Sequence, residues 1–335
     1  MNLQPLKNKK TLVTGGSGFI GSNLIEALLQ VGASVRCLDN LSTGNKDNIQ
    51  DFLALDNFEF IEGDIRDLET CKHAVAGCEF VSHQAALGSV PRSLKTPLLT
   101  HSVNVTGFLN MLEASRLEGV TRFVYAASSS TYGDNEALPK IESEIGKPLS
   151  PYAVTKLINE YYADVYKRNY GFNTIGLRYF NVFGPKQDPD GAYAAVIPKF
   201  IAALLNQESP VINGDGSFSR DYTYIDNVVQ ANLLALTTEN PLALNEIYNI
   251  AYGARTSLTE LVNLLKERLL NYDSDLVKVQ PKYGPERPGD VPHSLASISK
   301  ARNLLGYDPD YDLDAGLRKA IMWYRAHLKT VKEDK

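Results

Sequence analysis

The stretch Thr11-Leu12-Val13-Thr14-Gly15-Gly16-Ser17-Gly18-Phe19-Ile20-Gly21 decides the fold. Its first four residues form a short apolar run, and Ser22 to Gln30 carries apolar residues at helical spacing. The pattern predicts strand, glycine turn, helix. Gly15, Gly18 and Gly21 permit a tight turn and let the backbone approach a pyrophosphate, which the N–H groups and dipole of the following helix attract. A glycine triplet alone also suits a turn in an unrelated α/β protein. Here a second strand, Ser34 to Leu38, follows and ends at Asp39. That is close to the ~20-residue spacing at which a carboxylate accepts from the adenosine ribose hydroxyls. The acid favours NAD over NADP, whose extra phosphate it would repel.

The alternation continues. Strands are predicted over 58–62, 79–83, 122–127 and 172–180, with helices over 67–76 and 96–118. Ligands of parallel sheets sit beyond the carboxyl ends of the strands. The small residues Gln84-Ala85-Ala86 and the serines Ser128-Ser129-Ser130 fall there, although tight packing and a polar turn explain them equally well. After Asn181 the alternation gives way to turn-rich sequence, Gly184-Pro185 and Asp188-Pro189-Asp190-Gly191, which reads as entry into a smaller lobe. Helices are expected there over 194–206, 227–237 (with Asp226 as cap), 258–270, 298–305 and 313–328. A strand is expected over 246–251, and Pro281 to Pro292 reads as a loop.

Ser150-Pro151-Tyr152-Ala153-Val154-Thr155-Lys156 opens a helix, with Ser150 as N-cap and Pro151 at the first position. Tyr152 and Lys156 then lie one turn apart on one face. A phenol is a poor base near neutral pH, and an adjacent ammonium is expected to lower its pKa. A solvated helix face would look the same on this spacing alone.

Composition bounds the answer. The chain has 335 residues, 44% apolar and 22% charged, with net charge −5. This fits a globular protein of two lobes and argues against a nucleic-acid surface. No apolar run reaches membrane-spanning length, and Met1 to Lys10 lacks the apolar core of a secretory signal. Cys37, Cys71 and Cys78 lack C-x-x-C spacing and the histidines lack paired metal-ligand spacing. The expectation is a cytoplasmic protein without metal or disulfides.

Taken together, the glycine stretch, Asp39-Asn40-Leu41-Ser42-Thr43-Gly44, Gly63-Asp64, His83-Gln84-Ala85-Ala86, Tyr152-Ala153-Val154-Thr155-Lys156, Arg178-Tyr179-Phe180-Asn181 and Arg220-Asp221-Tyr222 resemble the extended short-chain dehydrogenase/reductase family over nearly the whole chain. Two stretches sharpen the resemblance: Ala126-Ala127-Ser128-Ser129-Ser130-Thr131-Tyr132-Gly133 and Ala85-Ala86-Leu87-Gly88-Ser89-Val90-Pro91-Arg92. They are most similar to the nucleotide-sugar 4-epimerases that act on UDP-N-acetylglucosamine and UDP-N-acetylgalactosamine in bacterial surface-polysaccharide synthesis.

The resemblance implies a Rossmann-type doubly wound parallel sheet over 8–182 plus about 221–252. A smaller mixed α/β lobe over 183–220 plus about 253–330 would hold the nucleotide sugar. It implies Tyr152 as base for the sugar 4-hydroxyl, Lys156 on the nicotinamide ribose, and Ser128 bridging sugar and phenol. NAD would be lined by Gly15, Gly18, Phe19, Ile20, Asp39, Asn40, Ser42, Gly44, Asp64, Ile65, Gln84, Ala85, Ala86 and Phe180, besides Tyr152 and Lys156. The UDP-sugar would meet Gly88, Ser89, Ser128, Ser129, Tyr152, Asn181, Val196, Lys199, Arg220, Arg287, Asp290 and Ser294. Relatives confined to glucose and galactose carry a tyrosine where Ser294 stands, and a serine leaves room for an acetamido group.

A homodimer is implied through 96–118 and 151–169, with Ala153, Leu157, Tyr161 and Val165 as an apolar stripe. Three rival readings use the same residues. A 4,6-dehydratase would need an Asp-Glu pair where Ser129-Ser130 stand. A 4-epimerase of UDP-glucose or of a UDP-uronic acid differs only in its sugar contacts, at C6 for the uronic acid. A silent NAD-binding regulator would be expected to lack Tyr152 or Lys156.

Overall fold

The computed structural model describes residues 2–191, 194–286 and 291–328. Seven strands form one sheet: β1 (Lys10–Thr14), β2 (Ser34–Asp39), β3 (Phe58–Glu62), β4 (Phe80–His83), β5 (Arg122–Ser128), β6 (Thr174–Tyr179) and β7 (Ile247–Ile250). Their order is β7-β6-β5-β4-β1-β2-β3, and every neighbouring pair is parallel. The order reverses between β1 and β4, where Thr11 faces Val35 on one side and Phe80 on the other. Loops leaving these two strands diverge there and open a crevice.

A parallel sheet needs cover on both faces, and alternate residues of each strand supply both cores. Leu12, Leu38 and Phe123 pack on one side, while Val13, Cys37 and Val124 pack on the other. Helix α1 (Phe19–Gln30) lies on the second side. Helices α2 (Leu68–Val75), α3 (Phe108–Glu118) and the inner face of α4 (Pro151–Tyr170) lie on the first. The remaining helices are α5 (Val196–Leu205), α6 (Ile225–Thr237), α7 (Leu258–Leu270), α8 (Ser299–Leu305) and α9 (Leu313–His327). Of these, α6 joins α1 against the sheet, and the core on that side runs on into α5, α7, α8 and α9.

Four details differ from the sequence reading. The helical run expected over 96–118 starts at Pro97, and Ser102–Gly107 takes π geometry inside it. A short helix, Val90–Lys95, precedes it and is too brief to show a period. Asp226 does not cap α6: Tyr224 holds the cap position, and Asp226 lies in the first turn, where its charge suits the helix dipole. Three small strand pairs were not anticipated: Val182–Phe183 with Thr223–Tyr224, Ser219–Arg220 with Thr256–Ser257, and Val211–Asn213 with Lys282–Gly284. Two- and three-residue strands carry no readable alternation.

The stripe on α4 also divides. Ala153 is buried and Leu157 half-buried, whereas Tyr161 is 59% and Val165 39% exposed. Among the described residues no helix is long and apolar enough to cross a membrane.

Candidate active site

The crevice at the switch point is a groove of about 340 Å³. Gly15, Gly18, Phe19, Ile20, Asp39, Asn40, Ser42, Gly44, Asp64, Ile65, Gln84, Ala85 and Ala86 all line it. Its floor is backbone. Gly15 has φ +68°, and a Cβ there would stand 2.8 Å from the Ala85 backbone. A Cβ on Gly21 would stand 2.2 Å from the Gly15 carbonyl oxygen. Gly18 heads α1 without a side-chain cap, and the first turn holds no acid, so the helix N–H groups face the groove. The packing reading and the ligand reading of Ala85 therefore describe one feature.

Asp39 is held at the far end. Its carboxylate accepts from the N–H of Ser17 at 2.9 Å and of Leu41 at 2.8 Å. Burial raises its pKa and those two donors pull the other way. Asp64 pairs with Arg66 and accepts from Asn40 Nδ2 at 3.0 Å; the Arg66 partner brings its pKa down to about 2. This groove, with a backbone cradle for a diphosphate and a carboxylate for ribose hydroxyls, fits a dinucleotide.

Ser128, Tyr152 and Lys156 gather at the end of β5. Ser150 accepts from the Ala153 N–H at 3.2 Å and starts α4 with Pro151 in its first turn. The Lys156 ammonium, buried, donates to the Ala126 carbonyl at 2.7 Å and ties the helix start to β5. Tyr152 is thereby set against Ser128, whose hydroxyl also accepts from Ser130 Oγ at 2.9 Å.

The expectation that Lys156 lowers the Tyr152 pKa is not met here. Burial raises the phenol, and the hydrogen bond with Ser128 opposes it. The Lys156 ammonium donates to the Ala126 carbonyl, and desolvation brings its own pKa down to about 8, with Glu160 opposing.

Beyond the trio lies a cavity of about 210 Å³ walled by Ser128, Ser129, Asn181, Arg220 and Ser294. Phe180 lines this cavity beside Ser128, and Gly88 lines the dinucleotide groove. Ser89 has φ +91° and caps Val90–Lys95 by accepting from the Arg92 N–H. A third, larger cavity of about 540 Å³ is lined by Val196 and Lys199 of α5 and shares Asn181 and Arg220 with the second. Asn181, at φ +35°, donates to the Asp221 carbonyl at 3.0 Å. Arg220 donates to the carbonyls of Ser219 and Pro292, both at 3.0 Å. Arg287 and Asp290 lie outside the described residues.

Other residues tie the site together, and two of them, Arg178 and Asp221, stand in the sequence only as members of the motifs quoted above. Asn104, in the π turn, accepts from the Leu87 N–H at 2.7 Å and donates to Thr155 Oγ1 at 3.2 Å, joining the loop after β4 to α4. The π turn was the missed signal, since such bulges often mark functional sites. The buried Arg178 guanidinium, paired with Glu160, lies over the Tyr132 ring, which lines the cavity beside Ser128. Asp221 accepts from the N–H groups of Tyr252, Gly253 and Ala296, and burial lifts its pKa to about 7.

Fold and groove together define a dinucleotide-binding protein of the doubly wound α/β class. The model of the NAD dependent epimerase/dehydratase family matches residues 11–251, and the chain belongs to that family. Its cofactor is NAD, as the groove fits. The UDP-glucose 4-epimerase of Mycolicibacterium smegmatis is 37% identical, covering 94% of this chain and 98% of that one. A UDP-N-acetylglucosamine 4-epimerase from Methanobrevibacter ruminantium M1, solved in complex with UDP-N-acetylmuramic acid, superposes with TM-score 0.89 at 37% identity, covering 96% of this chain and 100% of that one. A UDP-glucuronic acid 4-epimerase from Bacillus cereus, solved with UDP-glucuronic acid and NAD, gives TM-score 0.85 at 30% identity, covering 95% and 99%. This chain is thus similar to nucleotide-sugar 4-epimerases that differ in their sugar.

Proposed function

We propose that the chain interconverts UDP-N-acetylglucosamine and UDP-N-acetylgalactosamine by inverting C4 through a transient 4-keto sugar. When bound, NAD supplies a hydride acceptor and donor at C4 and is regenerated in each turnover. Tyr152 takes the proton of the 4-hydroxyl and later returns it, with Ser128 bridging phenol and sugar oxygen. Arg220 and Asn181 stand where they can grip the diphosphate while the ring turns its other face to the cofactor. Val196 and Lys199 belong to the nucleotide end, Arg287 and Asp290 are assigned there from the resemblance, and the two-lobe division assigns the sugar to the C-terminal lobe.

The observation that carries the N-acetyl reading is Ser294 in the wall of the sugar cavity, together with Ser129. Its N–H is pinned to the Ser219 carbonyl at 3.0 Å, so the small side chain is held at the wall. A tyrosine there would fill the space an acetamido group needs. The dehydratase reading lacks an acid: among the described residues no Asp or Glu lines this cavity.

Incubation with UDP-GlcNAc, UDP-Glc and UDP-glucuronate, followed by NMR of the products, tests the assignment. UDP-GalNAc should form fastest; preferential epimerisation of either other sugar defeats it. Such products would feed surface-polysaccharide synthesis. We also propose a homodimer across α4, where Tyr161 and Val165, with Leu98 at 85% exposure on the preceding helix, leave apolar surface uncovered. Light scattering showing a monomer at micromolar concentration would contradict it.

A further inference from the structure

The sugar cavity does not end at Ser294. Gly133, Lys140, Leu149, Val291 and His293 line it and also line a second cavity of about 520 Å³. This outer space adds Leu138 and Pro292 to its wall, and Asp134, Asn135 and Glu136. Its two sides, residues 133–149 and 291–297, are stitched together. The Lys140 N–H donates to the Leu295 carbonyl at 2.7 Å, and the Ser297 N–H donates to the Lys140 carbonyl at 2.9 Å. Buried Asn249 donates to both the Lys140 and Ser297 carbonyls. The chain at Gly133 is pressed so close to Lys147 that a Cβ there would stand 1.9 Å from the Lys147 carbonyl oxygen. The space is therefore pre-formed by backbone bonds on both sides.

We infer that this outer cavity receives an uncharged N-acyl chain longer than acetyl, carried on the C2 nitrogen of a UDP-linked amino sugar. The inference rests on the C2 assignment of Ser294 made above. An acyl group held beside Ser129 and Ser294 continues away from the ring, and the shared mouth at Val291, His293 and Leu149 is the opening next to Ser294. Leu138, Leu149, Val291 and Pro292 give that chain apolar contact; Leu149 is 53% exposed and gains cover from it.

Two acids against one lysine disfavour an anionic tail. Asp134 and Glu136 lie at the wall, and the Lys140 ammonium is engaged by the Asn135 carbonyl. His293 Nδ1 is bonded to Ser219 Oγ at 3.0 Å.

The test uses UDP-glucosamine acylated with acetyl, propionyl, butyryl or succinyl groups. Calorimetry on the NAD-loaded enzyme gives Kd, and NMR gives kcat/KM. Butyryl should stay within about threefold of acetyl, whereas a closed pocket rejects each added methylene by roughly 10- to 200-fold. Succinyl should bind at least roughly tenfold more weakly than butyryl at low salt, and Glu136→Gln should narrow that gap. Leu138→Trp, which touches only the outer cavity, should weaken butyryl by about tenfold or more and leave acetyl unchanged. A stepwise loss from acetyl to butyryl in the wild type overturns the inference, as does indifference to Leu138→Trp.

If only UDP-Glc is epimerised, the C2 reading has failed. The Kd series still decides the cavity: a flat series that Leu138→Trp breaks supports it, and a falling one refutes it.

Discussion

The dinucleotide groove and the cavity beside Ser128 are built in different ways. The groove is made of short contiguous pieces, each one strand end with its turn: Gly15 to Gly21, Leu38 to Gly44, Gly63 to Ile65 and Gln84 to Gly88. Much of its surface is backbone, and the close approaches at Gly15 and Gly21 leave no room for a Cβ. The cavity beside Ser128 draws its wall from segments far apart in the chain, among them Ser128 to Ser130, Phe180 and Asn181, Arg220 and Ser294. Long-range bonds hold them: Ser294 to Ser219, Lys140 to Leu295, Asn181 to Asp221. A backbone groove tolerates little change and serves one cofactor. The similar enzymes share the fold and are named for different sugars.

Four measurements press on this contrast. The largest effect belongs to the junction of the two sites. Tyr152→Phe should lower kcat by about 10²- to 10⁴-fold, the usual contribution of a general acid–base group, with NAD affinity retained. Near wild-type turnover would remove Tyr152 from the chemistry.

On the groove side, the wild type should bind NAD more tightly than NADP by several kcal/mol in order of magnitude, the size of a like-charge contact. Asp39→Asn should narrow that gap. Equal titration of both dinucleotides by the wild-type apoprotein would break the account of Asp39.

Lys156 gives a pH signature. Its folded pKa, about 8, lies below the ordinary 10.5, so the unfolded chain holds a proton that the folded chain lacks between these values. Stability from this group therefore rises with pH across 8 to 10.5, and its full cost is present below 8. Lys156→Met should be the more stable apoprotein at pH 7 by about 3 kcal/mol or less. Urea titrations should show that difference shrinking by pH 10; a constant difference would refute the assignment.

The smallest effect is the most discriminating for the cavity. Ser294→Tyr should move the kcat/KM ratio of UDP-GlcNAc to UDP-Glc by at least roughly tenfold toward glucose, since overpacking costs about 1 to 3 kcal/mol. An unchanged ratio would mean that Ser294 does not face C2.

Sequence alone determined the parts whose signals are local. The strand–turn–helix of 11–30, the carboxylate at the end of β2 and the capped start of α4 all follow from residues within a few positions of one another, because period, cap and glycine turn act over one or two turns of chain. The resemblance then named most of the groove before any coordinates. Tertiary structure decided the rest. It took the cap of α6 from Asp226 and set Tyr152 where desolvation raises the pKa that a lysine neighbour was expected to lower. It also brought Ser294 to Ser129 across a long span of chain and opened the cavity beyond them. The reason is physical. Desolvation and cavity shape depend on which remote segments close over a residue, and the bonds that bring Lys140 to Leu295 or Ser219 to Ser294 leave no periodic trace along the chain.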